Sequence, residues 1–373
     1  MTAARRIATL SAWAWAAVFA ALAWSRRATV DDAFIDFRVV DNLLRGYGPV
    51  YNVSERVEAY TNPLWVALLA LVGPLFGHGP SGRAHIETVA VVLGIALAAA
   101  ALALACLASG KLSVRGSGHF AWPAGALVVL ALAPFWDFAG CGLETGLVLF
   151  WLAGCFHALA GEPQPSGRRA TAIALAIGAG PLVRPDLALT AALFLGVLWA
   201  CQASALQRVA SAATAAAPVL VYQVFRMGYF ACLVPNTALA KEAGLANWPA
   251  GWAYLRDFTE PYQLGIPVAL VLLGSSTALV TLWRRGRSTD ALLVAAALAS
   301  ALLQGLYVVR IGGDFMHARM LLPCLFALAL PVASVAGPPP GWALLLVPWA
   351  AAAGLWGRCP YIEQSEGAPQ IEN

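Results

Sequence analysis

Long apolar runs that are almost free of charge constrain this chain more than any other feature of its sequence. A helix needs roughly 20 mainly apolar residues, and at least about 17, to cross the hydrocarbon core of a bilayer. Such runs recur through the 373 residues, with 170–183 the shortest, at 7–25, 88–108, 120–136, 145–161, 170–183, 187–206, 209–225, 263–283, 291–309, 320–337 and 341–357. The sequence therefore predicts an all-α polytopic membrane protein with about eleven transmembrane helices.

The composition agrees, because 60% of the residues are hydrophobic and only 11% are charged. A water-soluble domain has about a quarter of its residues charged, so lipid must solvate much of this chain. The net charge of +4 is small, and the basic residues form short clusters between apolar runs, which argues against a nucleic-acid partner. The seven cysteines include no CxxC pair, so neither a disulfide framework nor a metal site is predicted.

Lysines and arginines predict the orientation, because cytoplasmic loops carry an excess of them. The apolar stretch 63–76 is too short to span comfortably, and we expect it not to cross. With the N-terminus inside, the cytoplasmic side then receives Arg5, Arg6, Lys111, Arg115, Arg168, Arg169, Arg208, Arg284, Arg285 and Arg287. The outer side receives 26–62, 137–144, 184–186, 226–262, 310–319 and the C-terminal tail. Arg26 and Arg27 oppose this assignment, but the full set of loops outweighs them.

This orientation predicts a multi-pass protein of the plasma (inner) membrane whose polar chemistry lies outside the cytoplasm. One transmembrane domain is expected over 1–358, with a first outer loop at 26–62 and a second long outer loop at 226–262. A short polar tail follows at 359–373.

The first outer loop begins with two adjacent carboxylates, Asp31 and Asp32. From Asp32 to Arg45 the pattern predicts an amphipathic juxtamembrane helix, ended by Gly46 and Gly48. Its apolar side would carry Ala33, Phe34, Phe37, Val40 and Leu44, and its polar side Asp32, Asp36 and Arg45. The two carboxylates could position a hydroxyl, act as a general base or bind a cation. The alternative is that one of them only caps the helix.

The loop segment 52–65 combines amide, hydroxyl, aromatic and charged groups, a mixture that suits sugar binding, and the segment 235–241 offers an amide and an ammonium. These candidates for acceptor or sugar contacts are Glu58, Tyr60, Thr61, Asn62, Asn236 and Lys241. A solvated loop would look similar, and that alternative stays open.

Other charged residues lie at the outer ends of apolar runs. Glu144 at the start of a span is either a site carboxylate or a charge that complements the helix dipole. Arg184 interrupts an apolar stretch and could clamp a phosphate, or it could simply pair with Asp186. The ten residues 310–319 include Asp314, His317 and Arg319, and His317 could shuttle a proton or donate to a phosphate.

Because all these clusters share one predicted face, they suggest one reaction. A sugar linked to an isoprenoid phosphate would be held in the bilayer, with arginine or histidine at its phosphate and an aspartate at the acceptor hydroxyl. The leaving group is already a phosphodiester, so a divalent metal is not obligatory.

The segment DDAFIDFRVVDNLLRGYGPVYNVSERVEAYTNPLW, followed in order by GLET, RPD, PNTALAK and GGDFMHAR, resembles the GT-C fold membrane glycosyltransferases. The resemblance is closest to the AftB-like terminal β-(1→2)-arabinofuranosyltransferases of cell-wall arabinan. It implies a GT-C-like helical bundle, decaprenyl-phosphate arabinofuranose as lipid-linked donor and a cell-envelope polysaccharide as acceptor. It also implies that Asp31 and Asp32 are the active-site aspartates, and that His317 and Arg319 lie at the donor phosphate.

A β-linked donor giving a β-linked product would mean net retention, so a simple single displacement is not assured. Proteins similar to this one continue into a sizeable soluble domain. We therefore expect this chain to be either a shortened homologue with a different acceptor or a part of a longer chain. The alternatives in function are a mannosyl- or aminoarabinosyl-type transferase, a non-catalytic scaffold, and a transporter or flippase of lipid-linked sugars. A transporter should place ionisable residues at the bilayer midplane and show repeated halves, neither of which the sequence shows.

Overall fold

A computed structural model describes residues 3–76, 85–113, 121–162, 164–236 and 246–356, and these are mostly helical. The helices are α1 (Ala3–Ser25), α2 (Ala33–Leu44), α3 (Pro63–Val72), α4 (Ile86–Leu112), α5 (Ala124–Ala131), α6 (Ala133–Ala139), α7 (Thr145–Leu159), α8 (Gly167–Gly178), α9 (Gly180–Val183), α10 (Ala188–Ala200), α11 (Ala205–Phe230), α12 (Trp248–Thr259), α13 (Gly265–Arg284), α14 (Ser288–Ile311), α15 (Leu322–Ala329), α16 (Gly341–Leu344) and α17 (Leu346–Trp356). Two short strands, β1 (Ala121–Trp122) and β2 (Val335–Ala336), pair antiparallel.

Within the described ranges, five helices are long and apolar enough to cross a membrane. They are Arg6–Ser25, Ile86–Leu112, Ala205–Phe230, Gly265–Arg284 and Ser288–Ile311. Shorter apolar helices occupy Pro63–Phe76, Thr145–Leu159, Pro185–Ala200, Leu322–Val332 and Gly341–Gly354. The all-α membrane class is confirmed, but the count of eleven spans and the GT-C bundle are not.

Prolines explain why some apolar runs do not form single long helices. The run 120–136 is divided at Leu132, and Pro134 occupies the first turn of α6. The run 170–183 is divided at Ala179, with Pro181 in the first turn of α9. Because proline lacks an N–H and disfavours a helical conformation in the residue before it, a continuous apolar run overstates helix length here.

The predicted amphipathic helix of the first outer loop is present as α2, and Gly46 and Gly48 follow it with φ of 82° and 94°. The prediction of which side of this helix is buried is wrong in part, however. Phe34 is 50% exposed and Leu44 40%, whereas Asp36 and Asn42 are buried. Asn42 donates to the carbonyls of Val50 and Tyr51, so its partner comes from a later loop, which helical periodicity cannot reveal.

Contacts between loops define two opposite ends of the molecule. At one end, Thr29 after α1 donates to Glu87 at the start of α4 (2.8 Å), and Arg26 pairs with Asp137 (2.7 Å). At the opposite end, the Lys111 ammonium donates to the carbonyl of His157 (2.9 Å). Because α1 ends where α4 begins, the stretch 63–76 returns to the same end, as predicted. The described parts of the loops assigned to the outer face share the end that carries Thr29, joined by contacts such as Arg226 with Glu58 and Arg319 with Glu144.

Candidate active site

Glu144 is the centre of a buried polar cluster at this end. It immediately precedes α7 and is 3% exposed. Arg319 Nη2 lies 3.3 Å from its Oε1, Arg184 Nε lies 3.9 Å from the same oxygen, and Asn62 Nδ2 donates to Oε2 (3.1 Å). Burial by itself raises the pKa of Glu144, but Arg319 and Arg184 outweigh it and hold the pKa of this carboxyl below its usual range. Glu144 is therefore a shared anionic partner as well as a helix-start charge.

Arg319 joins the last outer loop to the first. Its Nη1 lies 4.0 Å from Asp32 Oδ2 and 3.5 Å from Asp314 Oδ2. Burial lowers the pKa of this guanidinium, but Glu144 and Asp314 more than reverse that effect, so the pKa is raised and the group stays charged. The predicted meeting of the acidic first loop with the 314–319 segment is confirmed.

Asp31 and Asp32 occupy different environments. Asp31 is exposed, and its Oδ1 accepts from the backbone N–H of Asp32 (2.9 Å). Asp32 is half-buried, faces Arg319, and makes no side-chain capping bond to α2. The capping alternative therefore does not describe Asp32, which is the member of the pair that reaches the cluster.

Arg184 forms the pair that the sequence left as an alternative. Its Nε and Nη2 donate to the two carboxylate oxygens of Asp186 (2.9 and 2.8 Å), and Gln304 Nε2 donates to Asp186 Oδ2 (2.8 Å). Arg184 is 4% exposed and also lies near Glu144. The two readings of Arg184 are thus compatible, because the structural pair places the guanidinium inside the cluster.

His317 lies beside the cluster and faces α12. Its Nδ1 is 2.6 Å from Asp257 Oδ2, and its Nε2 is 3.4 Å from the Tyr262 hydroxyl. Phe258 packs edge-on against the imidazole, with ring centroids 6.0 Å apart. A carboxylate on one ring nitrogen fixes the orientation of the imidazole, which indicates a held histidine rather than a loosely solvated one.

The candidates for sugar contacts are placed unequally. Glu58 is fully buried, with Arg226 Nε 2.7 Å from its Oε2 and the Tyr222 hydroxyl donating to its Oε1 (2.6 Å). The Tyr60 hydroxyl lies 3.2 Å from that of Tyr222, and burial raises the pKa of Tyr60 to about 12. Both oxygens of Glu58 are already bound, so in this structure it ties the first loop to α11 instead of offering a free acceptor contact.

The remaining candidates are less informative. Thr61 is half-buried between Tyr60 and Asn62. Asn236 Oδ1 accepts from the Cys232 thiol (3.3 Å). Lys241 lies outside the described residues.

The buried polar atoms without a hydrogen-bond partner in the described part of the chain include one from each residue that approaches the Glu144 carboxylate: Asn62 Oδ1, Arg184 Nη1 and Arg319 Nε. A buried unpaired polar atom costs about 1–3 kcal/mol. Two donors and one acceptor facing one cluster are groups that an incoming ligand could satisfy. No set of three or more His, Cys, Asp or Glu side chains suited to a metal ion occurs in the ranges described.

The sequence interpretation missed several members of the cluster. Asp36 was assigned to the polar side of α2 but is 5% exposed and accepts from Asn62 Nδ2 (2.8 Å). Asp257 and Tyr262 were not singled out in the second outer loop. The signal for Asp36 was its position four residues after Asp32, which places both on one side of a helix.

An apolar groove of about 590 Å³ opens between α12, α13, α14 and α15. Its walls include Phe258 of α12, Val268 of α13, Leu302 of α14 and Leu325 of α15. Phe258 also contacts His317, so the groove adjoins the 310–319 loop.

The chain is similar to two curated proteins, each named terminal β-(1→2)-arabinofuranosyltransferase. It is 39% identical over 350 residues to the protein from Mycobacterium tuberculosis, covering 87% of this chain and 55% of that protein. It is 37% identical over 361 residues to the protein from Corynebacterium glutamicum, covering 88% and 51%. The chain thus spans about half the length of these relatives. The resemblance predicted from the motifs is confirmed.

No family model matches the chain. No solved structure matches it either.

Proposed function

We propose that this chain, a homologue of terminal β-(1→2)-arabinofuranosyltransferases over most of its length, moves arabinofuranose from a polyprenyl-phosphate donor to a cell-envelope glycan outside the cytoplasm. The names of the two relatives support arabinofuranosyl transfer, and the long apolar helices support its location in a membrane. The observation that carries the proposal is the approach of Arg319 to Asp32 and Glu144 beside an apolar groove. Carboxylates that could bind the acceptor, arginines that could bind the donor phosphate and an apolar groove that could hold a lipid chain then adjoin one another.

The donor phosphate would bind between Arg319 and Arg184. Each guanidinium keeps one buried nitrogen without a partner, Nε of Arg319 and Nη1 of Arg184, and both flank Glu144. Charge-assisted hydrogen bonds from these nitrogens would stabilise the negative charge that develops on the departing phosphate. Because both cations are held in place by carboxylates, little reorganisation is needed during the reaction.

The polyprenyl chain would lie in the apolar groove. Its four helices supply mainly aliphatic side chains, and the end near Phe258 adjoins His317. Because lipid tails are as apolar as these side chains, the polyprenyl tail can move from the bilayer into the groove at little cost, held by van der Waals packing. His317, held by Asp257, would donate to the phosphate where the tail meets the polar cluster.

Asp32 would orient the acceptor hydroxyl, because it is the half-buried aspartate that faces Arg319. Asp31 would contribute less, since it is exposed and its Oδ1 already accepts from the backbone N–H of Asp32. The acceptor glycan and any contribution from regions that the relatives possess beyond the aligned half belong to this proposal as well.

The test is transfer to an added arabinan acceptor by purified protein in detergent, offered polyprenyl-phosphate arabinofuranose, mannose or aminoarabinose in turn. We expect consumption of the arabinofuranose donor with release of polyprenyl phosphate. Asp32→Asn should lower the rate about 100-fold or more, as loss of a catalytic acid or base does, while Asp41→Asn, a paired carboxylate elsewhere on α2, should not. Asp31→Asn should have a smaller effect.

Consumption of a different donor would redirect the proposal to that sugar. Movement of an intact lipid-linked sugar across proteoliposomes, without cleavage, would replace the transferase by a flippase.

A further inference from the structure

Asp36 is a buried carboxyl that the proposed transfer has not yet used. It lies four residues after Asp32 on α2, which places their Cβ atoms roughly 5–6 Å apart on one side of the helix. Its side chain is 5% exposed, and its Oδ2 accepts from Asn62 Nδ2 at 2.8 Å. A carboxyl in this position borders Asp32 without being open to solvent.

Charged groups from each neighbouring segment influence the charge of Asp36, and the amide of Asn62 forms a hydrogen bond with it. Asp32 comes from the N-cap of α2, Asn62 from the end of the first outer loop, Glu144 from the start of α7 and Arg319 from the last outer loop. Burial raises the pKa of Asp36 to about 7, the hydrogen bond from Asn62 opposes that shift, and Glu144 adds to it more than Arg319 offsets. The carboxyl thus changes its charge near neutral pH.

Asn62 supplies an independent observation. Its amide nitrogen donates to both Asp36 and Glu144, so the orientation of the amide is fixed and both N–H groups are used. Its carbonyl oxygen is buried without a partner. A donor that enters the site, such as a water molecule or the sugar hydroxyl that replaces it, would satisfy that oxygen.

We propose that Asp36 is a positioning residue that receives, through Asp32, the proton lost by the acceptor hydroxyl, while the Asn62 carbonyl holds a sugar hydroxyl beside the pair. This inference rests on the proposed function. The acceptor O–H bond breaks, its oxygen bonds to the anomeric carbon, and the bond from that carbon to the phosphate oxygen breaks with its electron pair leaving as polyprenyl phosphate. The proton ends on Asp36 and returns through the half-buried Asp32 to solvent as products leave.

One proton is released whether the sugar is transferred by a single or a double displacement. The proposed role of Asp36 therefore does not depend on whether the anomeric configuration is inverted or retained. Asp36 can accept a proton only when ionised. Transfer should therefore accelerate as the pH rises through about 7, and the ionisation that controls it should belong to Asp36.

The experiment compares Asp36→Asn, Asp36→Glu and Asp41→Asn with the unmodified protein, measuring transfer from polyprenyl-phosphate arabinofuranose between about pH 5.5 and 8.5. We expect Asp36→Asn to lose about 10- to 100-fold in rate at pH 8 and to lose the rise near pH 7. Asp36→Glu should restore a pH-dependent rate, and Asp41→Asn should match the unmodified protein. Affinity for polyprenyl phosphate alone should stay within about twofold in all variants.

An Asp36→Asn variant that keeps the unmodified rise near pH 7 would overturn the inference while leaving the proposed function intact. If the unmodified protein binds polyprenyl phosphate but transfers no sugar, the proposed function fails and takes the inference with it. Asn62→Ala provides a separate check, because it removes the carbonyl oxygen that would hold the sugar hydroxyl, and we expect a raised KM for the acceptor. An unchanged KM would remove Asn62 from sugar binding.

The pH dependence of stability provides the control that the Asp36→Asn variant is folded. The folded Asp36 keeps its proton up to about pH 7, whereas an unfolded aspartate releases it near pH 3.8. Between these values the folded state binds more protons, so the free energy of unfolding falls as the pH rises. Asp36→Asn retains an oxygen that accepts from Asn62, but its free energy of unfolding does not fall with rising pH in this way. Its melting temperature should therefore exceed that of the unmodified protein at pH 7.5, and the two should converge near pH 4.5. A lower melting temperature at pH 7.5 would contradict a buried acid at this position.

Discussion

Glu144 shows how one residue can organise a site drawn from four distant segments. Asn62, Arg184 and Arg319 all approach its two oxygens, and the side chain is 3% exposed. A buried carboxylate is stable only when its charge is matched, and here two guanidinium groups match it. The position of each arginine consequently depends on Glu144.

Replacement of Glu144 by glutamine should destabilise the protein by about 3–5 kcal/mol, because it leaves two buried cations short of a partner. Transfer activity should fall with it, since Arg319 would no longer be held beside Asp32. Unfolding in detergent measures the first effect and the transfer assay the second.

The matched control is Glu162→Gln at the opposite end. Glu162 pairs with Arg169, whose side chain is 57% exposed, so the expected loss is below about 1 kcal/mol. If the two variants were equally stable, the Glu144 cluster would not hold the charges as described.

At this scale the sequence predicted which residues would meet, but not all their partners. Asp32, Glu144 and Arg319 were identified from their place at the outer ends of apolar runs, and they converge. Asp36 was assigned to the polar side of α2, because periodicity treats every carboxylate as solvated. Its amide partner, Asn62, lies 26 residues away, and only the folded chain brings the two together.

Helix α12 is the element on which the histidine end of the site depends. It carries Asp257, the partner of His317, and Tyr254, whose hydroxyl donates to the Met316 carbonyl (3.0 Å) and accepts from the Met320 N–H (3.0 Å). Gly251 allows this helix to lie directly against α14, because a Cβ there would collide with the Val309 carbonyl. A methyl group at Gly251 must therefore move α12.

Gly251→Ala should cost about 1–3 kcal/mol through overpacking and should weaken donor use by displacing Asp257 from His317. Gly228→Ala in α11 is the control, because nothing lies within 4 Å of an added Cβ there. Alanine at such a helical position should gain roughly 0.5–1 kcal/mol. Thermal unfolding and donor KM check both variants, and equal behaviour would mean that α12 tolerates displacement.

The sequence predicted elements best where proline is absent from an apolar run or lies in the first turn of the helix, as Pro267 does in α13, although α11 continues through Pro218. The helices α1, α4, α13 and α14 overlap the predicted spans and differ mainly at their ends. The runs at 120–136 and 320–337 instead form shorter helices, and the second continues past Pro331 into β2. Hydropathy measures the solvent that a segment prefers, whereas the helix boundaries also depend on backbone hydrogen bonds that proline removes.

The whole molecule is organised by the separation of its polar groups to two ends. The cluster around Glu144 lies at the end that contains Thr29 and the start of α4. The opposite end contains Arg287, which pairs with Asp290 (2.6 Å) and donates to the Lys111 carbonyl (2.9 Å). Segregation of this kind favours a surface site with lateral access to lipid over a pathway through the bilayer.

Cysteine labelling tests which end faces out. Phe34 and Phe315 are 50% and 71% exposed at the Glu144 end, and Arg168 is exposed at the other. In a background with Cys232 and Cys359 replaced by serine, Phe34→Cys and Phe315→Cys should react with a membrane-impermeant maleimide in intact cells. Arg168→Cys should react only after permeabilisation, because the basic loops are expected in the cytoplasm. The reverse pattern would place the site inside, and unequal labelling of positions 34 and 315 would mean that 63–76 crosses the membrane.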